Sequence, residues 1–402
     1  MSCYIAAYGL VSALGMGRDA SAEALLAWQQ SGVSPLDRHR APLLDRHRAP
    51  LLDGRLTPVG RVEGELPAIP VALAPYASRN NQLLLAALAQ VRPAFDEALE
   101  TFGPARVGLV LGTSTAGIGE AELAVAAARR GEAVPPAFDY RQQELGSPSE
   151  FLALHLGLTG PAWTISTACS SSARAFISGQ RLLATGLVDA VLVGGADSLC
   201  GLTLNGFDSL ESLSCARCQP FDEARQGINI GEGAALFLLS RTPAPLALLG
   251  AGESSDAWHI SAPHPDGIGA EAAMQMALAQ AGLTPAQVGY VNLHGTATRL
   301  NDAMESQAVY RLFGAEVPCS STKLLTGHAL GAAGAIEAAL ACLLLERALP
   351  LPPQRVATAD PALAPIRLVS GVVPLAAPRV LSNSFAFGGN NVSLLLGSVH
   401  HE

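Results

Sequence analysis

The chain contains the stretch Gly160-Pro-Ala-Trp-Thr-Ile-Ser-Thr-Ala-Cys169-Ser-Ser-Ser-Ala-Arg-Ala-Phe-Ile-Ser-Gly179. It predicts a short strand, a sharp bend among small residues, and then a helix. Cys169 falls at the bend, where unpaired N–H groups and the helix dipole favour the thiolate form. This is the geometry of a nucleophile that accepts an acyl group. The alternative for Cys169 is a buried small hydrophobic residue.

The rest of the chain alternates in the same way, which predicts layers of an α/β fold with strands buried on both faces. Two prolines and no clear periodicity in residues 239–246 predict a boundary between two halves, 1–245 and 246–402. The predicted strands are 4–10, 107–112, 162–166, 190–195, 234–239, 288–293, 317–320 and 392–396, and the predicted helices are 20–30, 83–91, 171–185, 269–281 and 334–347.

Composition excludes several classes of protein. The net charge of −9 leaves no basic footprint for nucleic acid. The first residues lack the basic and apolar regions of a signal peptide, and the apolar run 336–345 is too short to span a membrane. Seven scattered cysteines predict reduced thiols and a cytoplasmic location. We therefore expect a cytoplasmic protein.

Two histidines end predicted elements in glycine-rich turns. His294 lies in Val291-Asn-Leu-His294-Gly-Thr-Ala-Thr298, and His328 lies in Thr326-Gly-His328-Ala-Leu-Gly. Lys323, five residues before His328, is the only lysine among 25 basic residues. An ammonium is a compact three-donor group that an arginine fork cannot replace, which indicates a function for Lys323. A structural role for either histidine taken alone stays open.

Metal binding is the competing interpretation of these residues. The sequence has no H-x-x-x-H or clustered carboxylate spacing, and Cys215-Ala-Arg-Cys218 lacks a second pair, so no metal site is predicted. A C-terminal segment, Asn383-Ser-Phe-Ala-Phe387-Gly-Gly-Asn-Asn391, instead offers adjacent glycines whose N–H groups can approach an oxyanion. Residues 37–44 are repeated identically at 45–52, which indicates a duplication in a surface loop or, alternatively, a basic docking loop.

Taken together, the motifs T-A-C-S-S-S, H-G-T-x-T, S-T-K-x-x-x-G-H-x-x-G-A-A-G and N-S-F-x-F-G-G-x-N resemble those of the elongating β-ketoacyl-acyl-carrier-protein synthases of the thiolase superfamily. The resemblance runs from the N-terminal strand through Asn391. It implies a thiolase-like, five-layered αβαβα fold of two pseudo-duplicated halves. It also implies a homodimer, with a heterodimer as the alternative, and acyl carrier protein in its acyl and malonyl forms as partner. No cofactor is implied.

The resemblance also implies a role for each motif residue. Cys169 would hold the acyl chain as a thioester, and His294 and His328 would bind the carbonyl of the malonyl thioester and support its decarboxylation. The backbone N–H groups of Cys169 and Phe387 would form the oxyanion hole, with the Phe387 side chain as a gate. Two further residues would complete the polar network around His328; they are Lys323 and Glu337.

The chain departs from the resembled family in the helix after Arg79, which carries no charge where the family is basic. We therefore expect carrier-protein docking on Arg129, Arg130 and Arg217. Thr115 matches the position that limits the depth of the acyl pocket. The departures fit polyene- or polyketide-like chain elongation as well as fatty acid synthesis. A mainly non-catalytic partner subunit of a heterodimer stays open, although such subunits usually replace the nucleophile that Cys169 provides here.

Overall fold

The computed structural model describes residues 3–30, 44 and 46–399. Within this part of the chain, no helix combines the length and apolarity needed to cross a bilayer. The strands are β1 Cys3–Ser12, β2 Gly15–Met16, β3 Arg48–Pro50, β4 Leu56–Pro58, β5 Val107–Gly112, β6 Ala162–Ile165, β7 Ala190–Asp197, β8 Gly233–Ser240, β9 Leu246–Ser255, β10 Tyr290–Asn292, β11 Cys319–Ser320, β12 Arg379–Phe385 and β13 Asn390–Ser398. The helices are α1 Arg18–Gln30, α2 Arg79–Phe102, α3 Ile118–Arg129, α4 Ser147–Leu156, α5 Ser171–Ala184, α6 Gly201–Ser209, α7 Ile268–Ala281, α8 Arg299–Phe313, α9 Lys323–Thr326 and α10 Ala333–Arg347.

The main sheet shows an internal duplication. Its strand order is β11-β10-β12-β13-β9-β1-β8-β7-β5-β6. In the half that contains β6, the strands run third, second, fourth, fifth and first in chain order, and the half that contains β11 repeats this order. The directions repeat as well: β5 is parallel to β6 and β7, as β10 is to β11 and β12, and the remaining pairs are antiparallel. The predicted pseudo-duplicated halves are confirmed.

The two halves of the sheet and three sets of helices stack in five layers. α5 and α10 contact each other and lie between the two halves, where the largest apolar cluster is buried. α2 and α4 cover the outer face of the first half, and α7 and α8 cover that of the second. Each helix thus buries an apolar face on a sheet, as the layered architecture requires.

The eight strands and five helices that the sequence predicts are present with small shifts at their ends, except that the helix predicted at 83–91 extends over Arg79–Phe102. Further elements were not predicted. β12 was missed because it carries the polar residues Ser382, Asn383 and Ser384, which are all buried. β9 was not predicted, because it begins directly after the proline-containing segment 241–245, where the sequence shows no clear start of a strand. The helices α3, α4, α6 and α8 also had no clear sequence signal.

The repeated octapeptide lies partly outside the described residues, since 37–43 and 45 are not described. Leu44, the last residue of the first copy, is fully buried in the central core. Residues 48–50 of the second copy form β3, which pairs with β4 in a separate hairpin.

We expect deletion of residues 37–44 to leave the fold intact. The deletion places Leu36 directly before Asp45, where Leu44 stands in the parent chain, so a leucine is still available for the core. Shortening the connection between α1 and β3 by eight residues changes the free energy of unfolding by less than about 1 kcal/mol through loop-closure entropy. Thermal unfolding of the deletion variant measures this change. Loss of the cooperative transition would contradict the prediction and show that the first copy has a structural role.

Candidate active site

The bend before α5 holds Cys169 in a strained, well-bonded turn. Ala168 has a positive φ of 51°, a conformation that non-glycine residues rarely adopt. The hydroxyl of Ser171 stabilises the turn by donating to the Ala168 carbonyl at 2.6 Å and accepting the Thr167 N–H at 2.9 Å. Such strain is characteristic of functional sites, because the surrounding bonds must maintain it.

Close packing of the first half positions this turn. At Gly112, the last residue of β5, a Cβ atom would lie 2.2 Å from the Ser172 nitrogen, so only glycine allows α5 to begin so close to the sheet. The hydroxyl of Ser172 then accepts the N–H of Ala335 at 2.9 Å, in the first turn of α10. α5, the helix that follows Cys169, is thereby joined to the helix that follows His328.

The two histidines meet the thiol at the centre of the molecule. The Nε2 atom of His328 lies 2.9 Å from the Cys169 Sγ atom, and the ring centroids of His294 and His328 are 5.3 Å apart in an edge-to-face arrangement. All three side chains are buried. Residues separated by up to 159 positions in the chain therefore share one pocket.

Lys323 orients His294. Its Nζ atom lies 2.5 Å from the Glu337 Oε1 atom and 3.4 Å from the Nδ1 atom of His294. An ammonium only donates hydrogen bonds, so Nδ1 accepts and the proton of the neutral His294 ring resides on Nε2. Glu337, on α10, holds the ammonium in place, and burial raises the pKa of its carboxyl against the opposing charge of Lys323.

Burial dominates the electrostatics of the site. It raises the pKa of the Cys169 thiol to about 12, although the Lys323 charge and the Phe387 backbone N–H act to lower it. Burial and the Lys323 charge lower the pKa of both His294 and His328 well below the ordinary 6.5. The sequence argument from the helix dipole predicted a thiolate; it was wrong for the resting site, because desolvation of the sulfur outweighs the helix end.

We expect alkylation of Cys169 by iodoacetamide to accelerate steadily from pH 6.5 to pH 9. Below the thiol pKa, the thiolate fraction rises about tenfold per pH unit, and the thiolate is the reacting form. Peptide mass spectrometry resolves the Cys169 rate from those of the other cysteines. A rate that reaches a plateau below pH 8 would show that the thiolate is already stabilised at rest.

Buried carboxylates that the sequence analysis missed hold the loop of His294. Glu305, on α8, accepts the N–H groups of His294 and Gly295, each at 2.7 Å. Asp302 accepts the N–H of Phe221 at 2.8 Å, and burial raises the pKa of Glu305 to about 7 and that of Asp302 to about 6. The only sequence signal was the presence of two acidic residues soon after the H-G-T-x-T motif.

Asp197, at the end of β7, organises the loop that follows β5. Its Oδ1 atom accepts the hydroxyls of Thr113 and Thr115, both at 2.7 Å. Thr115 is therefore buried and hydrogen-bonded to Asp197, and it is not among the described residues that line the cavity containing Cys169. Its predicted role in limiting acyl-chain depth stays a prediction.

A cavity of ≈ 290 Å³ leads from the surface to the thiol. Phe387 lines it beside Cys169, and the ring of Phe387 packs on that of Phe207 at 5.5 Å between centroids. The residue before Phe387, Ala386, has φ −98°, which any residue adopts, so alanine is unstrained there. The other lining residues include His294, His328, Thr296, Thr298, Arg225, Arg299 and Leu300.

The predicted docking arginines lie on different parts of the surface. Arg129 and Arg130 are exposed at the C-terminal end of α3, and Arg130 forms an ion pair with Glu132 at 2.7 Å. Arg217 instead lines a second cavity, together with Gln29 and Arg355. The three arginines are therefore not brought into one patch by a shared element.

The thiol and two imidazoles are also a donor set that could hold a metal ion, since their donor atoms lie within 4.8 Å of one another. Two features weigh against that use. The 2.9 Å between Sγ and Nε2 is a hydrogen-bond distance, shorter than the ~3.5 Å expected around a shared zinc ion. The ammonium of Lys323 would also repel a cation bound next to His294.

The layers, duplicated strand order and buried thiol define the thiolase fold, and solved structures of ketosynthases share it. Residues 4–244 match the N-terminal domain of the β-ketoacyl synthases, and residues 247–356 match their C-terminal domain. The chain belongs to the β-ketoacyl synthase family.

Curated relatives carry one recurring name. The chain is 38% identical over 263 residues to 3-oxoacyl-[acyl-carrier-protein] synthase 2 of Rhizobium meliloti (strain 1021). The aligned region covers 60% of this chain and 61% of the relative. The chain is 33% identical over 261 residues to the synthase of the same name from Staphylococcus aureus (strain COL), covering 61% of this chain and 63% of the relative. The matched region thus spans somewhat less than two thirds of these relatives.

Solved structures match over almost the whole chain. A ketosynthase in complex with its chain length factor from Xenorhabdus doucetiae superposes with a TM-score of 0.93 at 52% identity, covering 99% of this chain and 98% of that one. The ishigamide ketosynthase/chain length factor superposes with a TM-score of 0.85 at 25% identity, covering 99% of both chains.

Proposed function

We propose that this protein is an acyltransferase that condenses an acyl chain, held as a thioester on Cys169, with malonyl-acyl-carrier protein. The products are β-ketoacyl-acyl-carrier protein and CO₂. The single observation that carries the proposal is the placement of the thiol within hydrogen-bond reach of His328, beside a second histidine whose proton Lys323 directs to Nε2. Family membership and the names of the relatives support the same reaction.

The first half-reaction loads the enzyme. The His328 Nε2 atom accepts the thiol proton as the Cys169 sulfur attacks the acyl thioester carbon, and the departing carrier thiolate takes up that proton. Because the resting thiol and both imidazoles are neutral, the thiolate forms only when an electrophile arrives. Backbone N–H groups of Cys169 and Phe387 stabilise the oxyanion in this step, each by roughly 3 kcal/mol.

The second half-reaction breaks and forms carbon–carbon bonds. The malonyl carboxylate leaves as CO₂, and its bonding electrons pass to the thioester, whose oxygen accepts hydrogen bonds from His294 and His328. The enolate carbon then attacks the acyl-Cys169 carbonyl, and the Cys169 sulfur leaves as a thiolate, which takes up a proton from solvent to restore the resting thiol. Neutral imidazoles suit this role, since a ring N–H donates without requiring a charged form in a buried site; His294 donates from Nε2, and His328 does so in the tautomer that carries its proton on Nε2.

A panel of acyl-carrier thioesters of varied length and unsaturation, each assayed with malonyl-carrier protein, tests this function. We expect β-ketoacyl-carrier protein and CO₂ in equal amounts with at least one acyl group. CO₂ release without a condensed product from any acyl thioester would contradict the proposal.

A dimer fits the surface of the first half. β6 is an edge strand whose outer side has no partner strand among the described residues, and Trp163 on it is 37% exposed. Unpaired edges and large exposed apolar patches mark association surfaces. Further exposed apolar residues lie on the neighbouring segments 118–156; they are Leu123, Val125, Val134, Tyr140, Leu145 and Leu154.

The identity of the second subunit has two candidates. A second copy of this chain gives a homodimer. A chain length factor, the partner named for the ketosynthases of the Xenorhabdus doucetiae and ishigamide structures, gives a heterodimer. Cys169, His294 and His328 are all in place in this chain, which favours the catalytic over the non-catalytic role in either assembly. Intact-mass detection of acyl-Cys169 separates the two roles.

Reversal of Arg129 and Arg130 to Glu tests carrier-protein docking. Acyl carrier proteins are acidic, so we expect the apparent KM for the carrier-bound substrate to rise at least about threefold while kcat is retained. Arg311→Glu, an exposed arginine on α8, is the matched control and is expected to leave KM unchanged. Equal KM values for the double variant and the parent would refute docking at the end of α3.

A further inference from the structure

The hairpin formed by β3 and β4 has no role in the reaction described above. It pairs Arg48 with Pro58 and Pro50 with Leu56, apart from the main sheet. It begins within the second copy of the repeated octapeptide. Its contacts, however, connect it through α6 to Phe387, the predicted gate.

The hairpin holds α6 by polar contacts. The Leu52 N–H donates to the Asn205 Oδ1 atom at 2.8 Å. Arg55 donates through Nη2 to both carboxylate oxygens of Asp208, at 2.9 and 2.7 Å, and through Nε to Asp53 at 2.5 Å. Asn205 and Asp208 flank Phe207 on α6, so the hairpin fixes the turn of helix that carries this ring.

A small apolar core joins the same elements. Leu51 of the hairpin is buried in one cluster with Leu204 of α6 and with Leu330, two residues after His328. The other end of α6 is bound by Glu122 of α3, which accepts the N–H groups of Gly201 and Leu202. α6 is therefore held from both sides, and the hairpin supplies the side next to Phe207.

Phe207 connects α6 to the predicted gate, Phe387. Its ring packs on Phe387, and both rings line the cavity in which Cys169 lies. A small displacement of α6 would withdraw Phe207 from Phe387 and widen the cavity, because packed side chains have few alternative arrangements.

We propose that the hairpin of residues 48–58 is a positioning element for the gate, which acts through α6 and Phe207 to set the size of the acyl group admitted to Cys169. The inference rests on the proposed function, since it concerns the same thiol. Arg55 and Asp208 are positioning residues; neither is among the residues placed at the reacting atoms.

The test compares Arg55→Ala, Asp208→Ala and the double variant in the full-length protein. The first readout is the ratio of acyl-Cys169 formation rates from decanoyl- and hexanoyl-carrier protein, followed by intact mass. The second is the ratio of Cys169 alkylation rates by N-phenylmaleimide and iodoacetamide, which requires no acyl transfer. We expect both ratios to rise about two- to fivefold, the scale of a partly exposed ion pair. We also expect the double variant to equal either single one.

Asp53→Ala is the matched control, because it removes the contact of Arg55 within the hairpin without touching α6, and both ratios should stay at the parent value. Parent-like acyl ratios in Arg55→Ala and Asp208→Ala would overturn the inference, as would equal shifts in Asp53→Ala. If the parent protein forms no acyl-Cys169, the proposed function fails, and an unchanged alkylation ratio then overturns the positioning role separately.

Discussion

Replacement of Cys169 by Ala is expected to abolish condensation while leaving decarboxylation of malonyl-carrier protein measurable. Among the described residues that line the cavity, Cys169 is the only cysteine, so β-ketoacyl formation falls by a factor of roughly 10⁴ or more without it. Decarboxylation requires only hydrogen bonds to the thioester oxygen, and those come from His294 and His328, whose loops are held by Glu305 and by backbone bonds. Paired assays of CO₂ release and of β-ketoacyl product measure the two outcomes.

His294→Ala provides the converse variant. It retains the thiol and the Nε2 atom of His328, so acyl-Cys169 should still form. Loss of one donor to the developing oxyanion costs about 10²- to 10³-fold in decarboxylation. Equal loss of both half-reactions in Cys169→Ala and in His294→Ala would contradict the division of roles, and thermal unfolding of each variant controls for misfolding.

Lys323→Met is expected to destabilise the protein and to remove activity. The side chains of Lys323 and Glu337 are each only 2% exposed and form an ion pair at 2.5 Å. Breaking a buried pair leaves one charge without a partner, at a cost of about 3–5 kcal/mol in the free energy of unfolding. Chemical denaturation measures this loss.

The double variant Lys323→Met with Glu337→Leu separates stability from function. Replacing both partners by apolar residues of similar size removes the unpaired charge, so most of the stability should return. Decarboxylation should stay low, because no ammonium then fixes the proton of His294 on Nε2. Recovery of full activity in the stable double variant would show that Lys323 has only a structural role.

Much of the candidate site could be predicted from the sequence because its residues have distinctive neighbours. Cys169 follows a strand and precedes a helix among small hydroxyl residues, His294 and His328 lie in glycine-rich turns, and Lys323 is the only lysine. The layered α/β class followed from the alternation of apolar strands with helices, since buried strands are almost continuously apolar, whereas the five-layered arrangement was implied by the resemblance.

The rest depends on contacts that side-chain patterns do not reveal. Glu305 and Asp197 act by accepting backbone N–H groups from distant loops, and such acceptors have no characteristic spacing. β12 is buried but contains several polar residues, so its sequence does not show the apolar pattern of a buried strand. The resting charge of Cys169 also could not be predicted, because the helix end and the burial of the sulfur oppose each other and only the structure gives the extent of burial.

The central claim is that one thiol and two imidazoles form a single carbon–carbon bond-forming site. The most direct measurement isolates the acyl-enzyme after incubation with acyl-carrier protein, maps the acyl group, and adds malonyl-carrier protein for one turnover. The account predicts an acyl group on Cys169 alone and its stoichiometric transfer to β-ketoacyl-carrier protein as CO₂ is released. An acyl group on another residue, or one that hydrolyses without condensing, would contradict it.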